Sequence, residues 1–299
     1  MRTLVLLAAA AGLMASPAFA QDGTLKKIKE TGVFNVSFRE SSIPFSYLDD
    51  NQKPIGFAKD ICDKVVEAVK AELKLPNLEV KYTPVTSATR IPLLANGTID
   101  IECGSTTNNV DRQQQVSFTN THFLTASAFV SKKSANLTKI DDLKGKTIVS
   151  TSGTTNIQQV NNVNTERKLG MNILAAKDHA EAFLMVETGR AVAFVMDDIL
   201  LASLVASSKA PADYQLSAEA FSMPEPYGIM VRKGDAEFKA LVDKTTAALY
   251  KSPEGEALYN KWFTSPVPPK GLNFNVPMSA AQKKAFANPS DSADPKSYQ

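Results

Sequence analysis

Short apolar runs alternate along this chain with longer segments in which apolar residues recur every three or four positions. Ile61, Val65 and Val69, for example, share one face of a predicted helix. The runs that predict strands are 33–38, 78–82, 99–103, 146–151, 171–174 and 191–196, and the segments that predict helices are 59–73, 88–94, 154–169, 179–188 and 198–208. Repeated strand–helix–strand units predict parallel sheets covered by helices. Because the series restarts at residue 146, the pattern predicts an α/β fold with two lobes.

Two segments are suited to connect the lobes. Residues 116–130 are β-rich and free of Pro and Gly, and they are long enough to pass from one lobe to the other. The second connection is a stiff break at Met223-Pro224-Glu225-Pro226, after which a strand (227–232) and two helices (236–250 and 253–263) are predicted. Two crossings make a hinge with a cleft between the lobes.

The last part of the chain is predicted to return to the first lobe. We therefore expect a discontinuous first lobe made of residues 21–121 and 226–299, and a second lobe made of residues 122–225. From Ser265 onward the chain is rich in Pro, Asn and Ser, which predicts an irregular wrap that ends in disorder.

Composition and charge narrow the function. A length of 299 residues is typical of about two domains. The net charge of +2, without a block of Lys and Arg, argues against nucleic acid or an anionic membrane as the partner. The sequence also lacks a nucleotide-binding P-loop, a metal-ligand cluster and a nucleophile–base pair. We therefore expect no cofactor.

The N-terminus has the pattern of a secretory signal. Arg2 precedes an apolar run over residues 4–14, and Ala18-Phe19-Ala20 matches an A-x-A cleavage site. A membrane anchor is the alternative, but the apolar run is shorter than the roughly 20 residues that span a bilayer. We expect residues 1–20 to be removed, leaving a soluble exported protein that begins at Gln21 and carries no cysteine for lipid attachment at that point.

Cys62 and Cys103 are the cysteines of this chain. An exported compartment permits a disulfide between them, because Cys62 lies in a predicted helix and Cys103 at the end of a predicted strand. Two separate buried thiols that act as small apolar residues are an equally good interpretation. Neither cysteine has a nearby His or a C-x-x-C partner, which argues against catalysis or metal binding.

Polar groups follow several predicted strands, at the ends where open α/β sheets collect ligands. In Gly104-Ser105-Thr106-Thr107 with Arg112, backbone N–H groups, hydroxyls and a guanidinium could hold a carboxylate, and Gly allows backbone to approach a ligand closely. A capped helix start beside a surface arginine would look the same. The segment Thr151-Ser152-Gly153-Thr154-Thr155 at a helix N-terminus suits an anion and equally an ordinary N-cap.

A pair of acidic residues, Asp197-Asp198, directly follows the strongly apolar run 191–196. We expect one of the two aspartates to cap the next helix through its side chain. The other could face the cleft and bind the ammonium group of a ligand.

The remaining polar residues of the predicted site are mostly basic. They are Arg39 after the first strand, Arg90 with Ser87 one turn earlier, and His179 at a strand-to-helix turn. Each basic residue alone is more typical of a protein surface. Together with Arg112 they offer more positive charge than one carboxylate needs. An amino acid with an acidic side chain would match them, since an unpaired buried charge costs several kcal/mol. A neutral ligand such as glutamine would leave a guanidinium without an anion, and this penalty would make the site selective.

At these residues the sequence resembles a known family. The stretches RESSIPFSYLDDNQKPIGFAKDI, SATRIPLLANGTIDIECGSTTNN, TSGTT, AAKDHAEAF and GRAVAFVMDD are similar to the periplasmic glutamate/aspartate-binding proteins of ABC transporters, within the extracellular solute-binding family for polar amino acids. The resemblance runs from about residue 24 to about residue 269. It implies the periplasmic-binding-protein fold, in which two α/β lobes joined by a two-segment hinge close on one ligand.

The resemblance also implies roles for individual residues. Arg112 and Thr107 would hold the α-carboxylate, Asp197 (in preference to Asp198) and Ser105 the α-ammonium, Arg39, Ser87, Arg90 and His179 the distal carboxylate, and Thr155 would contribute from the second lobe. It further implies a periplasmic monomer that binds L-glutamate or L-aspartate and delivers it to the permease subunits of an ABC transporter in the inner membrane. Cys62 is the residue that the family pattern does not explain.

Two other interpretations start from the same residues. Some exported proteins of this fold resemble cyclohexadienyl dehydratases, which act on prephenate or arogenate and also need a cationic pocket. Such chemistry requires a general acid in the cleft, for which His179 and Asp197 are the candidates. A periplasmic sensor is the third interpretation, although this sequence contains no segment that would relay a signal and a separate receptor would be needed.

Overall fold

The computed structural model describes residues 23–299. The predicted signal at residues 1–20 and the predicted first mature residue, Gln21, lie outside the described residues. Within residues 23–299, each helix is too short or too polar to cross a membrane.

Helices and strands alternate through most of the described chain. The helices are α1 (Thr24–Thr31), α2 (Phe57–Leu73), α3 (Arg90–Ala95), α4 (Val110–Gln113), α5 (Thr155–Glu166), α6 (His179–Glu187), α7 (Asp198–Ser207), α8 (Ala236–Tyr250), α9 (Pro253–Phe263) and α10 (Ala280–Ala287). The strands are β1 (Val33–Phe38), β2 (Ser41–Ser42), β3 (Ser46–Leu48), β4 (Pro54–Ile55), β5 (Glu79–Pro84), β6 (Ile101–Glu102), β7 (Val116–Phe118), β8 (Phe123–Thr125), β9 (Ser127–Lys132), β10 (Thr147–Thr151), β11 (Asn172–Ala176), β12 (Ala193–Asp197), β13 (Tyr214–Leu216), β14 (Glu225–Tyr227) and β15 (Met230–Arg232). Short 3-10 turns lie at Lys133–Ala135, Ile140–Leu143, Pro211–Asp213 and Pro295–Tyr298.

Two five-stranded sheets form the centres of the two lobes. The first has the strand order β5-β1-β6-β15-β7 and the second the order β11-β10-β12-β9-β13. In each sheet the first three strands are parallel and the last two pair antiparallel. The predicted two-lobed α/β fold is thus confirmed, with the parallel pairing in the part of each sheet where strands and helices alternate.

Local sequence explains why the parallel strands and their helices form. The strand β12 is buried at every position because helices cover both faces of the sheet. The helix α2 buries Ile61, Val65 and Val69 on its predicted face. The helices α5 and α6 begin at capping side chains, since Thr154 accepts a hydrogen bond from the N–H of Ile157 and Asp178 accepts one from Glu181.

The chain passes between the sheets at β8 and β14, which form an antiparallel pair that we call the crossing strands. The predicted extended segment 116–130 is therefore divided into β7, β8 and β9, of which only β8 is a crossing strand. The predicted stiff break at residues 223–226 is partly wrong, because Glu225 and Pro226 belong to β14. Both strands of a two-stranded sheet are edge strands. A proline, which has no N–H to donate, is therefore tolerated there. The exact lobe boundaries at residues 121/122 and 225/226 stay a prediction.

The end of the chain is ordered, which corrects the predicted disorder. After an irregular stretch, α10 packs with Phe286 stacked on Tyr250 at a ring separation of 4.6 Å. Tyr298 is buried, and its hydroxyl pairs with that of Thr121 at 2.8 Å. The N–H of Thr121 donates to the carbonyl of Ser290. A polar composition alone could not predict these contacts because their partners lie far away in sequence.

A disulfide joins Cys62 on α2 to Cys103 directly after β6, which decides between the two interpretations of these cysteines. It ties the first long helix to the strand end from which Ser105 and Thr107 follow.

Removing this disulfide with the pair Cys62→Ala and Cys103→Ala should lower the free energy of unfolding by about 2–4 kcal/mol, because a covalent link across 41 residues restricts the unfolded chain. Urea unfolding of the oxidised protein and the double variant measures the difference. Wild-type protein unfolded in the presence of a thiol reductant is the control and should approach the variant. Equal midpoints for oxidised and reduced wild type would contradict a stabilising bond.

Candidate functional site

A cavity lies where the carboxyl ends of the parallel strands in the two sheets face each other. The residues that line it are Ser87, Arg90, Ser105, Thr107, Arg112, Thr154, Thr155, Asn156, His179, Met196, Asp197 and Leu200. Eight of the predicted site residues are in this set, and the ninth, Arg39, contacts it from behind. The volume of this cavity is about 10 Å³, room for about one water molecule, so the cavity is narrow.

Strand ends bring these residues together. Arg39 directly follows β1, Ser105 and Thr107 follow β6, and Asp197 is the last residue of β12. On the second sheet, Thr155 and His179 are the first residues of the helices that follow β10 and β11. The carboxyl ends of parallel strands meet at one edge of a sheet, which is why residues so distant in sequence converge.

Arg112 links the two sides of the cavity. Its Nη1 donates to the carbonyl of Thr107 at 2.8 Å, and its Nη2 donates to the carbonyl of Gly153, from the second lobe, at 3.2 Å. Burial, with a smaller effect of Arg90, lowers the pKa of Arg112 to about 9. The guanidinium therefore stays charged at neutral pH, although it is largely removed from water.

Arg39 and Arg90 form a second positive region. The Nη2 of Arg39 donates to Ser87 Oγ at 2.9 Å, and the Nη1 of Arg90 lies 3.4 Å from the carbonyl of Ser105. Burial lowers the pKa of both guanidinium groups, that of Arg39 to about 9. Within residues 23–299, the buried Nη1 of Arg39, Nε of Arg90 and Oγ of Ser105 have no hydrogen-bond partner. Arg90 and Ser105 line the cavity, whereas Arg39 lies behind it, so Arg90 and Ser105 carry the unpaired polar atoms nearest to an incoming group.

Glu102 is a buried carboxylate next to Arg90 that was not among the site residues predicted from the sequence. Its Oε1 is 4.0 Å from Arg90 Nη1, and its Oε2 accepts a hydrogen bond from Thr106 at 2.8 Å. The neighbouring Gly104 makes room for it, since a Cβ there would lie 2.4 Å from Oε1. Gly104 therefore accommodates this carboxylate, whereas the sequence had suggested that it admits a ligand. A charged residue inside the apolar run 99–103 was the available signal.

His179 is neutral in this structure. The prediction that it adds positive charge to the site is therefore wrong. Burial and the nearby Arg39 and Arg90 hold its pKa well below the usual range. The Nη2 of Arg39 can only donate and lies 3.4 Å from Nε2, which assigns Nε2 as the acceptor. The proton is then on Nδ1, which is 2.9 Å from the hydroxyl of Thr151.

The two adjacent aspartates point to different places. Asp197 lines the cavity and accepts hydrogen bonds from Asn156 Nδ2 at 2.8 Å and from the hydroxyl of Tyr227. Asp198 turns to the crossing strand β8, where it accepts from Thr125 at 2.5 Å. Asp197, at the N-cap of α7, makes no capping bond, but Asp198 Oδ1 accepts the N–H of Ile199 in the first turn at 2.7 Å, so one of the two aspartates does satisfy a free N–H of this helix, as expected. Burial raises the pKa of Asp197 to about 6, and its hydrogen bonds limit the increase.

The charges of the site leave one positive charge without a partner. Arg39, Arg90 and Arg112 are positive, and Glu102 and Asp197 are the buried carboxylates next to them. Burial and Asp197 raise the pKa of the nearby Glu225 to about 8, so this residue adds no full charge at neutral pH. The arrangement is suited to hold a small molecule with a net negative charge that also carries a cationic group for Asp197.

Residues 34–265 match the family model of bacterial extracellular solute-binding proteins, family 3. The chain is 53% identical over 294 residues to the L-glutamate/L-aspartate-binding protein of Pseudomonas aeruginosa, covering 97% of each chain. It is 48% identical over 288 residues to the glutamate/aspartate import solute-binding protein of Salmonella typhimurium, covering 94% of this chain and 95% of the relative. Among solved structures, a mutant of ArgBP from T. maritima is similar with a TM-score of 0.71 and 27% identity, covering 80% of this chain and 98% of that one.

Replacing Tyr227 by Phe should raise the pKa of Asp197 further above its value of about 6. The Tyr227 hydroxyl stays protonated and donates to the carboxylate, and a hydrogen bond to a charged group contributes about 1.5–3 kcal/mol. We expect an increase of about one pKa unit, measured by a carbon NMR titration of the aspartate carboxyl groups with Asp197→Asn for assignment. Tyr259→Phe, which removes a different buried hydroxyl, is the control. An unchanged Asp197 titration in Tyr227→Phe would contradict the role of this bond.

Proposed function

The chain belongs to the bacterial extracellular solute-binding proteins, family 3, and we propose that it captures glutamate and aspartate in the cavity between its two sheets. The observation that carries the proposal is a small cavity lined by two buried arginines and Asp197, with Arg39 and Glu102 buried directly behind them. An acidic amino acid carries two negative groups and one positive group, so its net charge of one balances the excess charge of the site. No covalent chemistry is needed for this function.

Each polar group of the ligand has a matching set of side chains. Arg112 and Thr107 would hold the α-carboxylate, and Asp197 with Ser105 would hold the ammonium group. The distal carboxylate would take the free donors on the other side of the cavity, namely those of Arg39, Ser87 and Arg90, with His179 beside them. Thr155 would close over the ligand from the second sheet, where its hydroxyl is already 3.5 Å from that of Thr107.

Selectivity follows from the penalty for burying charge. Glutamine fills the same space as glutamate but brings an amide where Arg39 and Arg90 need an anion. Each of these guanidinium groups is almost fully removed from water, with exposed fractions of 1% and 2%. A buried charge that loses its partner destabilises a site by several kcal/mol, so a neutral ligand should bind much more weakly.

Binding requires the lobes to separate and close. The cavity is too small to hold an amino acid, so the lobes must move apart before one can bind. Docking on the arginines of the first sheet, followed by closure of Thr155, His179 and Asp197, would complete the contacts only in the closed form. The ligand would then shift the population toward that form.

Capture fits the chain better than the dehydratase alternative. The relatives that are 46–53% identical are solute-binding proteins and not enzymes.

The protein's place in the cell follows from the same proposal. We infer that it is a periplasmic monomer that delivers its amino acid to the permease subunits of an ABC transporter in the inner membrane. The import role in the names of two relatives, from Salmonella typhimurium and Escherichia coli, supports this inference. The lobes would be those predicted from the sequence, residues 21–121 with 226–299 and residues 122–225.

Calorimetry at neutral pH should detect binding of glutamate and aspartate with a dissociation constant of about 1 µM or tighter, about −8 kcal/mol. Glutamine, asparagine and lysine should bind at least 100-fold more weakly, because they leave the arginines without a second anion. Equal affinity for glutamate and glutamine would remove the role assigned to Arg39 and Arg90.

Replacing Arg112 by Ala should reduce the affinity for every amino acid by at least 100-fold, since bonds to charged groups contribute about 1.5–3 kcal/mol each. Replacing Arg90 by Ala should instead narrow the difference between glutamate and glutamine. Arg167→Ala, which removes an arginine that pairs with Glu219 at the surface, is the control for loss of one positive charge. Thermal unfolding shows whether each variant is folded. A folded Arg112→Ala protein that binds normally would refute the α-carboxylate assignment.

A further inference from the structure

One close approach between the two halves of the cleft is made by a residue without a side chain, Gly153. A Cβ placed on Gly153 would lie 2.5 Å from Ala88 Cα, 2.6 Å from Ala88 N and 2.8 Å from the carbonyl carbon of Ser87. All three are backbone atoms, which cannot rotate away as the end of a flexible side chain can. Ordinary contacts of a Cβ begin at 3.4 Å, so the two segments lie too close together here for any side chain at residue 153.

This contact joins the segments that carry the two sides of the site. Ala88 lies between Ser87 and Arg90, two residues that line the cavity. Gly153 precedes Thr154, which caps α5, and Thr155, which faces Thr107. The carbonyl of Gly153 also accepts the hydrogen bond from Arg112 Nη2 at 3.2 Å. Gly153 itself is outside the cavity lining and lies at the adjoining mouth of the cleft.

Backbone conformation alone does not explain the closeness. Gly153 has a φ of +76°, and Gly145 and Gly189 of the second-lobe segment have similar values of +69° and +75°. A Cβ on Gly145 or Gly189 would meet nothing within 4 Å, whereas one on Gly153 would overlap Ser87 and Ala88. Replacing any of these three glycines by a residue with a side chain would strain the backbone. Of the three, only at Gly153 would the new side chain also collide with the other half of the cleft.

We propose that Gly153 is a positioning residue for closure, because the missing side chain lets the loop at residues 152–154 rest directly on the backbone of Ser87 and Ala88. The inference rests on the proposed function, since closure is taken to complete the amino-acid site. A methyl group at residue 153 would hold the mouth open by about 1 Å. The pairs that meet across the cleft, Arg39 with His179 at 3.4 Å and Thr107 with Thr155 at 3.5 Å, would then exceed hydrogen-bonding distance.

The test compares Gly153→Ala with Gly189→Ala by calorimetry with glutamate. Gly153→Ala should weaken binding by about 50-fold or more, because a displacement of about 1 Å loosens every contact made from the second sheet. Gly189→Ala should bind within about threefold of wild type. Both variants share the strain of a positive φ and should show similar losses in melting temperature. A Gly153→Ala protein that binds like Gly189→Ala would overturn the inference.

A distance measurement separates this inference from the proposed function. The described residues contain no free cysteine, so Ala95→Cys on α3 and Asn162→Cys on α5 can be spin-labelled selectively. The distance that corresponds to the closed arrangement should be populated in wild type and Gly189→Ala when glutamate or aspartate is present, and it should be missing in Gly153→Ala both with and without these amino acids.

Each outcome of this measurement is decisive. The closed distance in Gly153→Ala, or its absence from wild type under all these conditions, would overturn the inference. A wild type that populates the closed distance but binds neither amino acid would refute the proposed function and leave the role of Gly153 in closure supported.

Discussion

Burial of three guanidinium groups in one cleft is the constraint on which the rest of the site depends. Arg39, Arg90 and Arg112 are each less than a tenth exposed, and loss of water lowers their pKa values without removing their charge at neutral pH. Glu102 and Asp197 compensate only part of that charge. A chain that keeps such an imbalance in a closed cavity destabilises itself unless another anion completes it. The excess positive charge that is unfavourable in the empty cleft makes binding selective for ligands with a net negative charge.

The fold separates the charges in a way that favours closure. All three arginines and Glu102 belong to the first sheet and its connections, so that side of the cleft is net positive. Asp197 lies at the end of β12 in the second sheet, and Tyr227 on a crossing strand donates a hydrogen bond to it. Each side alone would satisfy only part of a zwitterionic ligand with two carboxylates. Such a ligand therefore has a larger interaction with the closed form than with either half, which is the condition for a population shift.

The sequence predicted most of what depends on local pattern. The strand at residues 33–38 and the helices at 236–250 and 253–263 agree with β1, α8 and α9 at both ends, since periodicity and capping residues lie within the segment itself. The predicted site residues converge because strand ends can be located in the same way. What depends on distant partners could not be predicted. Examples are the ordered tail around Tyr298, the pairing of β14 through a proline, and the neutral state of His179, which burial and two arginines of the first lobe impose.

Gly104 and Gly153 show how far the electrostatic constraint extends beyond charged residues. In the sequence each is one small residue in a Ser/Thr-rich turn, and nothing local distinguishes them from a glycine that only relieves a positive φ. In the structure the missing Cβ of Gly104 admits the carboxylate of Glu102 beneath the arginines, and that of Gly153 admits the opposing backbone above them. The first allows positive charge to be buried, and the second, by the inference above, lets the two halves of the cleft close around it. Because a charge interaction strengthens as water is removed, these two positions without side chains act on the same free energy as the arginines themselves.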